Sequence, residues 1–364
     1  MKILHIIAGL HTGGAEKLLL DLLPRIKKTG HGADLYVLDN TPTYFSEKLR
    51  EAGITIYTPN RNSSVYNPFH ILRLIKYIRK YDIVHTHTTP PQFMAAFVSM
   101  LYRKVTYFTT EHAASNRRRN KWWCKPIDKW MYSRYKRIIC VSKETEVKLR
   151  EYLNLEFDTR IVTIYNGIDF KYFSTAKPYM DLREIHDIII IMVGRFVEQK
   201  DQDTLIKSLK LLPPNYKLWL LGDGSRRKDL EKLSESEGVA NRVKFWGIRP
   251  DVAELLKTAD IVVLSSHYEG LSLAGLEGMS AGKPFIASDV AGLHDITYGA
   301  GVLFPEGDVE VLSKEITHIM NAPSYYHTVS EQCAKRASEY DIANTAEQYN
   351  RLYNQLLRNG RNNS

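Results

Sequence analysis

A chain of 364 residues is too long for one ordinary hydrophobic core and fits two domains of roughly 150 to 200 residues each. Its 44% hydrophobic and 25% charged content matches a globular protein rather than a disordered or fibrous one. Cys124, Cys140 and Cys333 lie far apart, with no C-x-x-C and no matching His pair, which argues against a disulfide framework or a zinc site and fits a reducing compartment.

In chain order, short β-branched runs alternate with helical stretches. The first half gives "ILHII" (3–7), "ADLYVL" (33–38), "ITIY" (54–57), "DIVHTH" (82–87), "KVTYFTT" (104–110), "RIICVS" (137–142) and "RIVTIYN" (160–166). The second gives "IIIIMV" (188–193), "YKLWLLG" (216–222), "RVKFWG" (242–247), "DIVVLSS" (260–266), "KPFIAS" (283–288) and "GVLF" (301–304). Such alternation predicts βαβ units and two α/β domains with parallel sheets. Between them, "DFKYFSTAKPYMDLREIH" (169–186) reads as a linker. After Pro323 two helical stretches follow, the last carrying Tyr349, Leu352 and Leu356 at helical spacing, before a frayed "GRNNS". The N-terminal apolar run breaks at His-Thr-Gly-Gly without a cleavage site, so no signal peptide is expected, and "FMAAFVSML" (93–101) is too short to span a bilayer.

Open parallel sheets gather ligands beyond the carboxyl ends of their strands, so the loops there matter most. After the first strand, Gly13 and Gly14 precede a helix, a turn that suits either plain geometry or approach to a phosphate. It is neither G-x-G-x-x-G nor a full Walker loop, which weakens dinucleotide and P-loop readings. "VGRFVEQKD" places Arg195 and Lys200 just past a strand, where two cations either clamp a diphosphate or stand solvated. "LLGDGSRRKDL" offers Ser225 as a helix cap. "SSHYEGLSLAGLEGMSAG" holds Glu269 and Glu277 in an apolar surround, the spacing of a loop followed by a helix start. Two such acids suit the paired hydroxyls of a ribose or hexose; the lesser alternative makes Glu277 a buried acid paired with Lys or Arg. His85 and His87 alternate near a strand end, so at most one is expected to face a site, and packing or acceptor contact outweighs metal ligation.

The formal charge of +9 is concentrated in one place. Residues 117–137 carry nine Lys or Arg against Asp128 alone, with Trp123, Ile127, Trp130 and Met131 at helical spacing. A basic amphipathic helix with tryptophans predicts contact with an anionic membrane surface, or else packs its apolar face on the sheet. The charge forms one cluster without a nucleic-acid module, so nucleic acid is not an expected partner.

"EGLSLAGLEGMSAGKPFIASDVAG", with "VGRFVEQKD", "GDG" and "GGAE", and with "GHGADLYVL", "DIVHTHTT", "TTEH", "CVSK" and "YNGID" in order, resembles the retaining glycosyltransferases of family 4 over nearly the whole chain. Gly278 stands where that family most often has Ala. The resemblance implies a GT-B fold: two Rossmann-like doubly wound parallel-sheet domains facing across a cleft. Residues 1–170 would form an acceptor-binding domain, 171–186 a linker and 187–341 a nucleotide-sugar-binding domain, with a helix at about 342–358 packing back on the first. It implies transfer of a hexose or N-acetylhexosamine from a nucleotide sugar, most often a UDP-sugar, to a glycan or lipid-linked acceptor in bacterial surface polysaccharide or glycan assembly.

The resemblance further implies roles. Arg195 and Lys200 would hold the diphosphate, Glu269 with Gly270, Leu271, Ser272 and Leu273 the sugar, Glu277 the ribose, Ile248 and Arg249 the base, and Gly14 the phosphates from the other side. His112 would face the transferred sugar, and Glu111 beside it reads either as an acid or base or as the partner of Arg117 or Lys121. No metal and no cofactor beyond the donor is implied, and the expected location is cytoplasmic, on or near the inner face of the membrane. The same architecture also admits a nucleotide-sugar epimerase, and a non-catalytic partner subunit is a further alternative.

Overall fold

The structure, a computed structural model, describes residues 1–11, 13–59, 64–113 and 117–361, without the side chains of 117, 120 and 356–361. Thr12, the Arg117 and Leu356 side chains and the end of the expected tail thus lie outside the described residues. The chain divides into two units, one of residues 1–167 and 342–364, the other of 168–341.

The first unit carries β1 (Lys2–Ile7), β2 (Gly32–Val37), β3 (Thr55–Tyr57), β4 (Ile83–His87), β5 (Thr106–Glu111), β6 (Arg137–Cys140) and β7 (Ile161–Thr163). They form one parallel sheet in the order β3-β2-β1-β4-β5-β6-β7. The doubly wound order reverses between β1 and β4, where His5 lies level with His85. Ile3, Ile83 and Phe108 pack on one face against Leu18 and Leu22 of helix Gly14–Lys28 and against Tyr349 and Tyr353 of helix Ile342–Arg361. Leu4, Val84 and Ile138 pack on the other with Leu74, Met94 and Met131. Burial on both faces is why these strands read as continuous apolar runs rather than as alternating ones.

The second unit carries β8 (Ile188–Val193), β9 (Tyr216–Leu221), β10 (Val243–Gly247), β11 (Ile261–Leu264), β12 (Phe285–Ser288) and β13 (Val302–Phe304). Their order is β10-β9-β8-β11-β12-β13, again all parallel, with the reversal between β8 and β11. Helix Leu273–Ser280 buries Leu276 and Met279 against this sheet. A Cβ on Gly278 would stand 2.6 Å from Val262 Cγ1, so the branched Val262 of β11 fills the room that an alanine there would need.

Two local expectations differ. Residues 168–186 are packed structure belonging to the second unit rather than a linker: Phe173 is buried in its core, Tyr179 N donates to Thr258 Oγ1 at 2.8 Å, and Arg183 grips both carboxylate oxygens of Asp260 at 3.1 Å. Ser225 caps nothing, because helix Arg227–Ser236 begins one residue later and its cap position, Arg226, is held instead by a bond from its N–H to Phe196 O. Among the described residues no helix is long and apolar enough to cross a membrane. Cys124, Cys140 and Cys333 are buried free thiols.

Candidate active site

In the second unit the chain leaves β8 and β11 side by side at the reversal point, and those two exits carry the expected acid and cations. Gly194 and Arg195 follow β8 directly, with Arg195 exposed and its carbonyl held by Gln202 Nε2 at 3.0 Å. Lys200 ends a short 3-10 turn (Glu198–Lys200). The exit from β11 is stitched to it: His267 N donates to Gln199 O, Gln199 Nε2 to Tyr268 O, and Ser265 Oγ to Asp201 O at 2.6 Å.

These bonds bring Glu269 onto Lys200. Glu269 Oε1 accepts from Lys200 Nζ and, at 2.8 Å, from Ser266 Oγ, and both charged side chains are more than four-fifths buried. At this depth a lone carboxylate would be costly, so each ion depends on the other. The expected diphosphate-binding lysine and sugar-binding acid are thus already in contact. Asp201, next to Lys200, adopts a left-handed conformation (φ 46°) that a non-glycine residue rarely takes. Its side chain caps helix Gln202–Leu209 through Thr204 N, and burial pushes its carboxyl up despite those bonds.

Glycine close approaches fix the same rim. A Cβ on Gly292 would lie 1.8 Å from Gly270 O and 2.5 Å from Glu269 O, so backbone there rests directly on the Glu269 loop. Gly222, at φ 136°, would set a Cβ 2.0 Å from Gly194 O. Downstream of Glu269, Ser272 caps helix Leu273–Ser280 by accepting from Gly275 N, and the Gly270–Leu273 stretch leads into that helix start. Glu277 is half-buried one turn further along it. Ile248 is largely exposed after β10, and Arg249 is held by two bonds to Asp251 at 2.8 and 2.6 Å, which with its charge keep the Asp251 carboxyl down at about 2.

In the first unit Gly14 opens its helix with open space where a Cβ would be, while the Glu16 carboxylate covers Gly13. The helix start therefore already faces an anion of the chain itself. His112 follows β5. Its Nε2 lies 3.1 Å from His87 Nδ1, and His87 Nε2 lies 3.0 Å from His5 Nδ1. Contrary to the expectation from their alternation, His85 and His87 share one face of β4, because side chains two apart in a strand point the same way, and both are fully buried. His85 bonds Tyr353 OH at 2.6 Å and Thr110 Oγ1 at 2.7 Å. Burial drives all four imidazoles down, His5 to about 3 and His112 to about 4, so they are neutral near pH 7. His5, His85 and His87 have nitrogens within 4.8 Å of one another, enough donors for a metal ion. Those nitrogens are already engaged, however: His5 Nδ1 and His87 Nε2 meet each other, and both His85 nitrogens meet hydroxyls.

Glu111 is fully engaged. It accepts from Gln92 Nε2, Tyr132 OH and, at 2.8 Å, Arg119 Nη2, in place of the Lys121 pairing read from sequence; the Arg117 side chain lies outside the described residues. Arg118 pairs with buried Asp128 and lies over the Phe93 ring. Two of the clustered arginines therefore brace the protein. Trp130 and Met131 pack inward, while Trp122 is 87% and Trp123 51% exposed. Asp201, Ser266 and Arg119 were invisible to motif reading, since what marks each is a partner brought in by the fold.

The glycosyl transferases group 1 model matches residues 182–337, and the glycosyltransferase family 4 model matches residues 12–172. With both halves accounted for and both sheets doubly wound, the chain belongs to glycosyltransferase family 4, of the GT-B fold class. It is 28% identical to the lipopolysaccharide core biosynthesis glycosyltransferase LpsD of Rhizobium meliloti, over 80% of this chain and 79% of that one. It is 25% identical to the UDP-Gal:α-D-GlcNAc-diphosphoundecaprenol α-1,3-galactosyltransferase of Escherichia coli, over 79% and 80%. The crystal structure of Anabaena HepE in complex with UDP and glucose superimposes with a TM-score of 0.85 at 21% identity, covering 98% of this chain and all of that one.

Proposed function

We propose that this glycosyltransferase moves a hexose or N-acetylhexosamine from a UDP-sugar to a hydroxyl of a glycan or lipid-linked sugar, with retention of configuration, in assembly of a bacterial surface polysaccharide. The observation that carries the reading is the Lys200–Glu269 contact at the β8–β11 reversal, with Glu277 one helix start further on. In this reading the diphosphate takes Lys200 as its counter-ion together with Arg195, and Glu269 is released to accept hydrogen bonds from sugar hydroxyls, with the Gly270–Leu273 backbone beside it. Glu277 accepts from the ribose hydroxyls, and Ile248 and Arg249 flank the base. Stabilising the charge that grows on the departing diphosphate is the largest electrostatic task of such a reaction, and two cations plus a helix N-terminus are suited to it without a metal.

His112 presents a neutral imidazole to the transferred sugar, orienting it while the acceptor hydroxyl attacks from the face the diphosphate leaves. Glu111, held by three donors, is a scaffold acid rather than a proton carrier. The named activities of the LpsD and galactosyltransferase relatives and the UDP and glucose bound to HepE support the donor and acceptor classes. Exposed Trp122, Trp123 and Ile127 beside exposed Lys121 and Lys129 support docking on an anionic membrane surface, where a lipid-linked acceptor would be met.

The test is thermal-shift titration with UDP, UDP-sugars and GDP-sugars in EDTA, on the wild type and Glu277→Gln, followed by turnover with and without acceptor. A ligand at a hundredfold its Kd adds about 2.7 kcal/mol. Stabilisation by a UDP-sugar in the wild type and its loss in the variant are expected, with product only when acceptor is present and with the donor's anomeric configuration. Product without acceptor would instead make this an epimerase. Flotation with anionic vesicles should carry the protein upward at low salt, and a protein that stays below would remove the membrane from the proposal.

A further inference from the structure

Three fully buried imidazoles, His5, His85 and His87, sit together in the first unit with the part-buried His112, and they are not equivalent. His85 is what a structural histidine requires: both ring nitrogens meet a hydroxyl, Tyr353 OH and Thr110 Oγ1. The other three bond only to one another, His5 Nδ1 to His87 Nε2 and His87 Nδ1 to His112 Nε2. Each end of that row keeps a covered nitrogen without a partner among the described residues, His5 Nε2 and His112 Nδ1.

The bonding pattern has a consequence for protons. A neutral imidazole has one donor nitrogen and one acceptor. Each link joins an Nδ1 to an Nε2, so if His5 carries its proton on Nδ1, His87 must accept at Nε2 and carry its own on Nδ1, and the same holds for His112. If the first proton sits on Nε2, all three carry theirs on Nε2. We propose that His5, His87 and His112 form a single tautomeric unit, in which His87 and His5 are positioning residues that decide which ring nitrogen of His112 carries the proton. The catalytic half of this inference rests on the reading of His112 as the sugar-facing residue; the coupling does not. Burial, which keeps all three rings neutral, removes the doubly protonated form that would break the pattern.

The test is ¹⁵N NMR of histidine-labelled protein, in which donor and acceptor ring nitrogens resonate far apart, with His112 assigned from a His112→Ala sample. In the wild type His5, His87 and His112 should show one common tautomer. In His87→Gln, whose amide keeps the link to His5 but not the one to His112, His112 should populate both forms, kcat should fall about tenfold or more, and donor KM should hold within about twofold. The pH profile of kcat in that variant should change shape, which simple loosening of the fold would not produce. Mixed tautomers along the wild-type row would overturn the coupling, and this arm needs no variant to fold. An unchanged His112 signal and unchanged kcat in His87→Gln would do the same. Full turnover in His112→Ala alongside a common wild-type tautomer would instead refute the placing of His112 at the sugar.

Discussion

Mild acid should unfold the first unit well before its carboxylates titrate. His5, His85, His87 and His112 are held neutral by burial, with pKa values near 3 and 4 for His5 and His112 and well below the usual value for the other two. In the unfolded chain each returns to about 6.5 and takes up a proton as pH falls past that point. The unfolded state then binds more protons, so stability declines from about pH 6.5 downward until the folded pKa values are reached. At pH 5.5 an unfolded imidazole is about ten-to-one protonated, which costs the folded state on the order of 1 kcal/mol per ring and roughly 5 kcal/mol for four. That is the size of an ordinary domain's entire stability. Urea unfolding at pH 7.5, 6.5 and 5.5, with m constant, should show the midpoint falling steeply over the last step, and His85→Phe should remove one ring's share of that fall. A midpoint level from pH 7.5 to 5.5 would refute the reasoning, since a lowered carboxylate acts only further down: Glu146, which bonds from Thr163, Lys143 and Arg150 bring down to about 2 against the push of burial, loses its contribution only below about pH 4.5.

Further outcomes follow from single contacts. Gly292→Ala must displace Gly270 O, so it should weaken donor binding about tenfold or more, read by thermal shift with UDP, while the melting temperature without ligand changes less. Arg119→Ala leaves Glu111 buried without its counter-ion and should cost about 3 kcal/mol in urea unfolding, partly recovered when Glu111→Gln is added. Lys200→Met should likewise destabilise by about 3 kcal/mol and abolish the UDP-dependent shift, whereas Lys200→Arg should keep part of both.

The thirteen strands of the described residues were readable because a parallel sheet buried on both faces needs unbroken β-branched runs, and "IIIIMV" or "RIICVS" can hardly be anything else. The loops around Arg195, Lys200 and Glu269 were readable as a group because strand ends are where such sheets bind ligands. What pairs with what was not. Lys200 and Glu269 are 69 residues apart, and their contact exists only because β8 and β11 are neighbours. His5 meets His87 across 82 residues for the same reason, through β1 and β4. Arg119 looked like one more surface cation until β5 and helix Cys124–Ser133 set Glu111 and Tyr132 beside it. The segment at 169–186 was misjudged because its mixed polarity hides two anchors, Phe173 and Arg183, whose partners lie far along the chain.

Helix Ile342–Arg361 returns to the first unit after the whole second unit has been laid down, and it brings Tyr349 and Tyr353 onto Thr110 and His85. During synthesis, then, the sheet that is made first must wait for its last helix. At about 5 to 20 residues per second, the stretch from Gly167 to Tyr353 takes the ribosome roughly 10 to 40 s. Through that interval the histidine face of the nascent sheet lacks its cover, while the later-made unit has every segment it needs. The order of translation and the order of completion are reversed, which makes the early half of the polypeptide the part most exposed to chaperones and proteases in the cell.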